Sequence, residues 1–362
     1  MVDSRFFAQA GEDDAGSRFA FAAAGLPILV TGAGGYIGSA LVRTIAAAGP
    51  ARLLLLDSSE QNLFAIHRHL EESHAHVPHE AILGCVTDAR LLSGVFSRFH
   101  PKIVYHAAAL KHVPLLELNP LAAVYNNAIG TYTLAEAARH HGASALILVS
   151  TDKAVNPHSI MGASKRLAEL TVAALSGLEC KMNAVRLGNV IGSTGSVIPI
   201  FLEQISRGGP VTITHPDVSR YFMSLRAAVD AILAAGAAEC SGRILLPELG
   251  EPERIADLAR FLIENAGLSG HQQRVTPPHI IGLRPGEKIA EDLVYQAEIR
   301  EGSTAGPLEI LRTPTPATAE LHGFLAQLGC LLARGDLAAL IHAICAMVPE
   351  YQPSSVIRGA HA

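Results

Sequence analysis

Thr31-Gly32-Ala33-Gly34-Gly35-Tyr36-Ile37-Gly38 decides the fold. The stretch lies between a short apolar run, Pro27 to Val30, and a segment that reads as a helix from Gly38 to Ala48. Three of its four glycines each have a reason of their own. Gly32 allows a tight turn, Gly35 lets the backbone approach a pyrophosphate, and Gly38 lets the helix pack closely on the strand. A helix that starts at such a loop presents free N–H groups and a partial positive charge to phosphates. The next apolar strand, Arg52 to Leu56, is followed by Asp57, 19 residues after Gly38, where a ribose-binding carboxylate is expected. Ser58 follows it and not an arginine. A carboxylate there pairs with free ribose hydroxyls and repels a 2′-phosphate, so the cofactor is read as NAD(P), with NAD favoured over NADP.

Outward from this loop the pattern repeats. A helix is expected from about Ser59 to Glu71, and further strands at Ala81 to Leu83, Ile103 to His106, Leu146 to Val149 and Asn183 to Leu187, with helical segments between them. Continuous apolar strands alternating with helices imply an α/β protein with a Rossmann-type, doubly wound parallel sheet. After about Asn189 the rhythm changes. Gly192, Gly195, Pro199, Gly208, Gly209, Pro210 and Pro216 crowd the chain, which marks a smaller second lobe. The expected organisation is a leader over 1–25, a dinucleotide-binding domain over 26–188 with about 220–245, a substrate lobe over about 189–219 with 246–305, and a helical tail over 306–362. Residues 254–267 read as an amphipathic helix, and Thr318 to Met347 as a helical tail docked by its apolar face.

Composition narrows the function. The net charge of −5 argues against a general nucleic-acid surface. Cys85, Cys180, Cys240, Cys330 and Cys345 are scattered and form no C-x-x-C pair, which fits a reducing cytoplasm. No apolar run reaches the roughly 18 residues that span a bilayer, and residues 1–18 lack a secretory signal pattern. His67, His69, His74, His76 and His79 fall on a surface helix and the loop after it; they read as a solvated segment, and no metal site is expected. There is no G-x-S-x-G nucleophile elbow.

The chemistry concentrates in Ser150 to Arg166. Thr151, Asp152 and Lys153 put a hydroxyl, a carboxylate and an amine side by side at the end of an apolar run. Lys165 follows on a helix. Four residues before it stands Met161, where a dehydrogenase is expected to carry an acid–base tyrosine.

With these residues go His106 to Pro114, Asn127 to Thr131, Arg186 to Val190, Gly195 to Pro199, Thr214 to Met223 and Gly282 to Lys288. Together the strings resemble the extended short-chain dehydrogenase/reductase superfamily, and within it the nucleotide-sugar 4,6-dehydratases of polysaccharide biosynthesis. The resemblance runs from about residue 26 to 300, with a weaker echo at Val348 to Tyr351.

The resemblance implies an enzyme that oxidises a sugar at C4, loses water across C5 and C6, and returns the hydride to C6. Its catalytic set falls on Thr151, Asp152, Lys153, Met161 and Lys165. Thr151 hydrogen-bonds the C4 oxygen, Asp152 handles a proton near the C6 hydroxyl, and Lys153, as a neutral amine, takes the C5 proton. The retaining branch carries a glutamate where Lys153 stands, so inversion at C5 is expected. The cofactor falls on the loop residues Gly32, Gly34, Gly35, Tyr36, Ile37 and Gly38, on Asp57 and Ser58, on Val86, Asp88, Ala107 and Ala108, and on Lys111, Asn127 and Lys165. The UDP-sugar, with UDP-N-acetylglucosamine first among candidates, falls on Lys111, His112, Asn189, Val197, Thr212, Arg220, Arg284 and Glu287.

Two residues depart from the pattern. Met161 has no proton to lose, so Asp152, directly or through a water, is expected to act as the C4 base. Cys85 replaces an aspartate near the adenine. Two other readings stay open: an epimerase or reductase on a related nucleotide sugar, and a catalytically inactive dinucleotide-binding sensor or scaffold. The resemblance also implies a homo-oligomer. Without the amino-terminal membrane region of longer relatives, the chain is expected to be a membrane-free cytoplasmic catalytic unit.

Overall fold

Pro27–Thr31 forms β1, and Tyr36–Ala47 forms α1 directly after the glycine loop. The computed structural model describes residues 24–266, 277–304 and 306–359. Apart from Ala24 and Gly25, the expected leader lies outside them.

The alternation then continues: β2 (Arg52–Asp57), α2 (Glu60–Ser73), β3 (His79–Leu83), α3 (Ala89–Phe99) and β4 (Ile103–His106). Two short helical turns and a π-turn (Tyr125–Ile129) lead into α4 (Gly130–His140). Next come β5 (Ala145–Thr151), a 3-10 turn (Asp152–Ala154), α5 (Ile160–Leu175) and β6 (Lys181–Leu187). Side-chain caps start three of the helices in this half by accepting backbone N–H groups that have no intrahelical partner: Ser59 before α2, Asp88 before α3 and Ser159 before α5.

The second half supplies α6 (Val197–Ser206), α7 (Leu225–Gly236), β7 (Ile244–Pro247), α8 (Ile255–Ala266), β8 (Ile299–Ser303), β9 (Leu308–Arg312), α9 (Thr318–Arg334) and α10 (Leu337–Met347). The nine strands form one sheet in the order β8-β9-β7-β6-β5-β4-β1-β2-β3. From β7 to β3 every pairing is parallel; β9 and β8 add an antiparallel edge. The chain is therefore a Rossmann-type, doubly wound α/β protein. The order reverses beside β1, and the crevice above the carboxyl ends of the strands at that point is where ligands bind in such sheets.

The main core is built from β1, β2 and β4 to β6 with the apolar faces of α1, α5 and α7. A separate core lies outside the sheet, with Phe201, Val211, Ile213, Val218, Ile255, Leu258 and Leu262 at its centre. It joins the segment where glycine and proline thicken to α8.

The structure revises several expected bounds. Helix α1 starts at Tyr36, not Gly38, with Gly35 as its N-cap. Strand β3 begins at His79. The tail is helical from Thr318 to Met347 and is divided in two: Gly335 is left-handed (φ 68°) and ends α9, and Asp336 caps α10. The expected junction at 305/306 falls inside the β8–β9 hairpin, which belongs to the main sheet. Among the described residues no helix is long and apolar enough to cross a membrane, and no group of three or more His, Cys, Asp or Glu side chains could hold a metal ion.

Candidate active site

The glycine loop lies tight against its neighbours. Gly32 has φ 66°, and a Cβ there would stand 2.7 Å from the Ala108 nitrogen and 2.8 Å from the Ala107 carbonyl carbon. A Cβ on Gly38 would stand 1.9 Å from the Gly32 oxygen, so only glycine lets the first turn of α1 settle on the loop. Asp57, at the end of β2, braces this arrangement: Oδ2 accepts from the Gly34 N–H at 2.9 Å and Oδ1 from the Ser59 N–H at 2.9 Å. Ser58 sits between the braced residues. Arg52 is engaged elsewhere, at the amino end of the same strand, where it pairs with Glu80 at 2.6 Å. Tyr36 donates its hydroxyl to the Ile191 oxygen at 2.8 Å and so ties the loop to the second half of the chain. Ile37 packs against the main core.

On the next strand's loop, Val86 is buried. Asp88 is engaged as a helix cap, its Oδ1 accepting from Arg90 and Leu91, both at 3.0 Å. Cys85 receives the Thr87 hydroxyl at 3.1 Å.

Sequence reasoning missed a buried chain under this loop. Thr131 donates its hydroxyl to the Asn127 oxygen at 2.6 Å, so it must accept from His106 Nε2 at 3.0 Å. His106 Nδ1 is then free to accept from the Thr31 hydroxyl at 2.7 Å. Burial first, and then the charge of Lys165, push the His106 pKa down to about 3, so the ring is a neutral spacer between β1 and α4. His106 lies in the string used for the resemblance, but neither threonine signals the pairing.

Asn127, on the π-turn, makes its amide a bracket. Nδ2 reaches the Leu110 oxygen and Ser164 Oγ, both at 3.0 Å, and Oδ1 accepts from the Leu110 N–H at 2.9 Å. This fixes the segment that presents Lys111 and His112 at the crevice rim. Partial desolvation lowers the pKa of both, and the Lys111 charge adds to the effect on His112. A Cβ on Gly195 would stand 2.5 Å from His112 Cε1, so the loop before α6, whose first residue is Val197, reaches this rim.

Thr151, Asp152 and Lys153 come together where β5 ends. Asp152 is fully buried. Its Oδ1 accepts from the Thr151 hydroxyl and from Lys153 Nζ, both at 2.9 Å, while Oδ2 has no hydrogen-bond partner. Lys153 Nζ also donates to Asn189 Oδ1 at 2.9 Å and stands 3.7 Å from Glu291 Oε1. Glu291 was not singled out in the sequence; it lies three residues beyond Lys288, which closes the Gly282 to Lys288 string and packs beside it. Lys288 Nζ donates to the Val155 oxygen at 2.8 Å, and Asn156, left-handed at φ 41°, donates to Asp292 Oδ2 at 3.0 Å. The segment 288–292 thus grips the turn that carries Asp152 and Lys153.

Helix α5 faces this turn with Met161 and Lys165. Met161 is buried within the main core and offers a thioether only. Lys165 donates to the Val149 oxygen at 2.8 Å; burial lowers its pKa to about 8, with Glu169 pulling the other way.

The remaining expected contacts have protein partners. Arg220 donates to the oxygens of Ser219 (2.7 Å), Lys288 (2.9 Å) and Ile289 (3.1 Å). Arg284 and Glu287 are bonded to each other, Nε to Oε1 at 2.9 Å. Thr212 is held by Gln204 through its N–H (2.9 Å) and its hydroxyl (2.8 Å). A cavity of about 620 Å³ under the tail helices shares none of these residues.

The chain is similar to several known proteins. The family described as "Polysaccharide biosynthesis protein" matches residues 28–311. The capsular polysaccharide biosynthesis protein CapD of Staphylococcus aureus is 43% identical over 275 residues, which are 75% of this chain and 45% of CapD. The chain thus spans less than half the length of that relative. A UDP-glucose 4-epimerase of Rickettsia rickettsii is 31% identical over 278 residues, covering 75% of this chain and 78% of that protein. Among solved structures, Pen from Bacillus thuringiensis superposes with a TM-score of 0.72 at 26% identity, covering 81% of this chain and 89% of Pen.

Proposed function

Because the chain belongs to the polysaccharide biosynthesis family of extended short-chain dehydrogenases/reductases, we propose that it is an NAD-dependent nucleotide-sugar 4,6-dehydratase that takes UDP-N-acetylglucosamine and inverts C5. The observation that carries this reading is the hydrogen-bonded run Thr151–Asp152–Lys153 at the carboxyl end of β5, with a buried Asp152 oxygen left without a partner. A buried carboxylate oxygen without a hydrogen bond is costly, and such atoms call for a functional explanation.

The residues fit a dinucleotide. The loop at Gly32 to Gly38 lies at the strand-order reversal, and Asp57 stands beside it. A Cβ on Gly35 would meet only the Gly32 oxygen, at 3.2 Å, so that side is open for a pyrophosphate. A bound NAD supplies the hydride acceptor for C4 and the hydride donor for C6. The protein does the rest. The C4 hydroxyl gives its proton to Asp152, directly or by way of the Thr151 hydroxyl, which already donates to Asp152 Oδ1. Oxidation at C4 acidifies the C5 proton. Lys153 takes that proton, the electron pair moves toward the C4 carbonyl, and the C6 hydroxyl leaves as water with the proton held by Asp152. Lys165 keeps a cation at the nicotinamide end of the crevice. Asn189, Arg220, Arg284 and Glu287 serve the nucleotide diphosphate, with Lys111 and His112 at the sugar end. A second copy of the chain is proposed as partner.

A C4 epimerase is the second reading, favoured by the relative that carries that name. It needs a group that cycles a proton at the C4 oxygen alone and has no use for a base at C5. Incubation with UDP-N-acetylglucosamine in deuterated water separates the two. The dehydratase gives loss of water, deuterium at C5 and an inverted C5 configuration by NMR. The epimerase changes C4 and leaves C5 unlabelled. A retained C5 configuration rejects inversion, and unchanged sugar despite demonstrated binding of NAD and of the UDP-sugar rejects the dehydratase on this substrate.

A further inference from the structure

Lys153 has a second carboxylate neighbour. Glu291 Oε1 stands 3.7 Å from its amine, beyond hydrogen-bond length, and 3.8 Å from Arg220 Nε. Oε2 stands 3.5 Å from Lys288 Nζ and accepts no hydrogen bond. The Glu291 side chain is only 3% exposed. A buried carboxylate ordinarily takes close, well-formed hydrogen bonds, because desolvation is expensive without them. This one sits at arm's length from three cations. Two of those cations are anchored to backbone oxygens, Arg220 to Ser219, Lys288 and Ile289, and Lys288 to Val155. The amine of Lys153 is the third.

We infer that Glu291 is a positioning residue for Lys153, a fixed negative charge set where the amine becomes an ammonium. The inference rests on the dehydratase reading. When the C5–H bond breaks, an N–H bond forms on Nζ, the electron pair goes to the C4 carbonyl oxygen, and positive charge appears on Lys153. Asp152 is the nearer carboxylate at 2.9 Å, but it has just received the C4 proton and is then neutral. Glu291 has no proton to carry in the cycle, so its charge persists through that step. Charge placed in advance against charge that develops in the transition state accelerates the step without reorganisation. The other ionisable groups around the pair are Arg220 and Lys288 behind Glu291, and His158 near Lys288, Glu291 and Asp292.

The test is Glu291→Gln in the whole chain with UDP-N-acetylglucosamine, reading C5 deuterium wash-in by NMR and cofactor reduction by NADH absorbance. Wash-in is expected to slow about ten- to a hundredfold, while cofactor reduction and KM stay within about twofold. The rising limb of wash-in against pH is expected to move to lower pH, because a lost carboxylate no longer favours the ammonium. Glu291→Asp is expected to keep the limb in place at a reduced rate. Unchanged wash-in overturns the inference, and so does an equal fall in both steps with the limb unmoved, the signature of a structural role. Wild-type protein that binds substrate and washes in no deuterium at C5 overturns the dehydratase reading itself, and the inference with it.

Discussion

Arg186 meets Glu169 along two contacts, Nε to Oε1 at 3.0 Å and Nη2 to Oε2 at 2.8 Å, and neither residue has any exposed surface. On its other side Arg186 holds Glu298, again twice, each at 2.7 Å. Arg166 joins the same carboxylates and reaches Glu350 at 2.9 Å. Burial pushes the Glu169 carboxyl up, but Arg186, Arg166 and the Ser150 hydroxyl hold it below the usual carboxylate range. Glu169 lies one helical turn after Lys165, so this network fixes the helix that carries Lys165.

Arg186→Met leaves Glu169 and Glu298 short of their buried partner and is expected to cost about 3–5 kcal/mol, the usual loss when one side of a buried pair is removed. Denaturant unfolding across pH checks it. In the wild type, the pairing of Glu169 contributes above the usual carboxylate range and is lost as pH falls through its lowered pKa. In the variant the stranded carboxyl is relieved by protonation. The stability gap should therefore narrow as pH falls. A gap that is small, or that widens in acid, contradicts the account.

Lys165→Met should separate stability from function. A buried amine whose pKa falls to about 8 opposes folding while it is charged. The unfolded chain binds more protons between about pH 8 and the ordinary lysine value, so wild-type stability rises with pH across that window. The methionine variant lacks this term. It is expected to be the more stable protein at pH 7 by on the order of 1–3 kcal/mol, with the difference closing by about pH 10. Turnover should fall at least about a hundredfold, since the cation proposed for the nicotinamide end is lost. A less stable variant at pH 7 would show that the bond to the Val149 oxygen outweighs the burial of the amine.

What the sequence made legible was local. The turn at Gly32, the carboxylate at Asp57 and the Thr151–Asp152–Lys153 run depend on neighbours a few residues away, and strand β5 and helix α5 fall where their apolar patterns lie. What stayed hidden depends on folding. Glu291 meets Lys153 only when the segment 288–292 crosses the turn after β5. Thr31, His106 and Thr131 come from three elements and look like unremarkable polar residues until β1 and β4 pair. Strand β8 is exposed at every position, so it carries no apolar alternation to read. The break between α9 and α10 did leave a signal, since glycine followed by aspartate is a stop followed by a cap, but the apolar face continues on both sides of it.

Asp57→Asn tests the cofactor preference. The amide oxygen can still accept from the Gly34 N–H, but the amide nitrogen cannot accept from the Ser59 N–H, so one brace is lost and the loop should survive at a cost of about 1 kcal/mol. The charge against a 2′-phosphate is gone, and with it the stronger acceptor for ribose hydroxyls. Binding by calorimetry is expected to show NAD affinity falling about tenfold, in line with a lost charged hydrogen bond, and NADP gaining relative to NAD. Equal binding of the two cofactors by the wild type would remove the preference altogether.

Asp152→Asn and Met161→Leu divide the question of the missing phenol. A thioether neither gives nor takes a proton, and Met161 is packed within the main core. Leucine nearly conserves its volume, so Met161→Leu is expected to cost less than about 1.5 kcal/mol and to keep turnover within about threefold. Asp152→Asn keeps the shape of the side chain and removes the base. Its amide can still accept from Thr151 and Lys153, so the fold should hold, while cofactor reduction in a single turnover should drop by about a hundredfold or more. The step that is measured matters. Loss of C5 exchange alone would leave Asp152 as a partner of Lys153, whereas loss of cofactor reduction marks the group that takes the C4 proton. Full cofactor reduction in Asp152→Asn would remove Asp152 from that role. A large loss in Met161→Leu with unchanged stability would mean that sulfur contributes something that its lack of a proton does not explain.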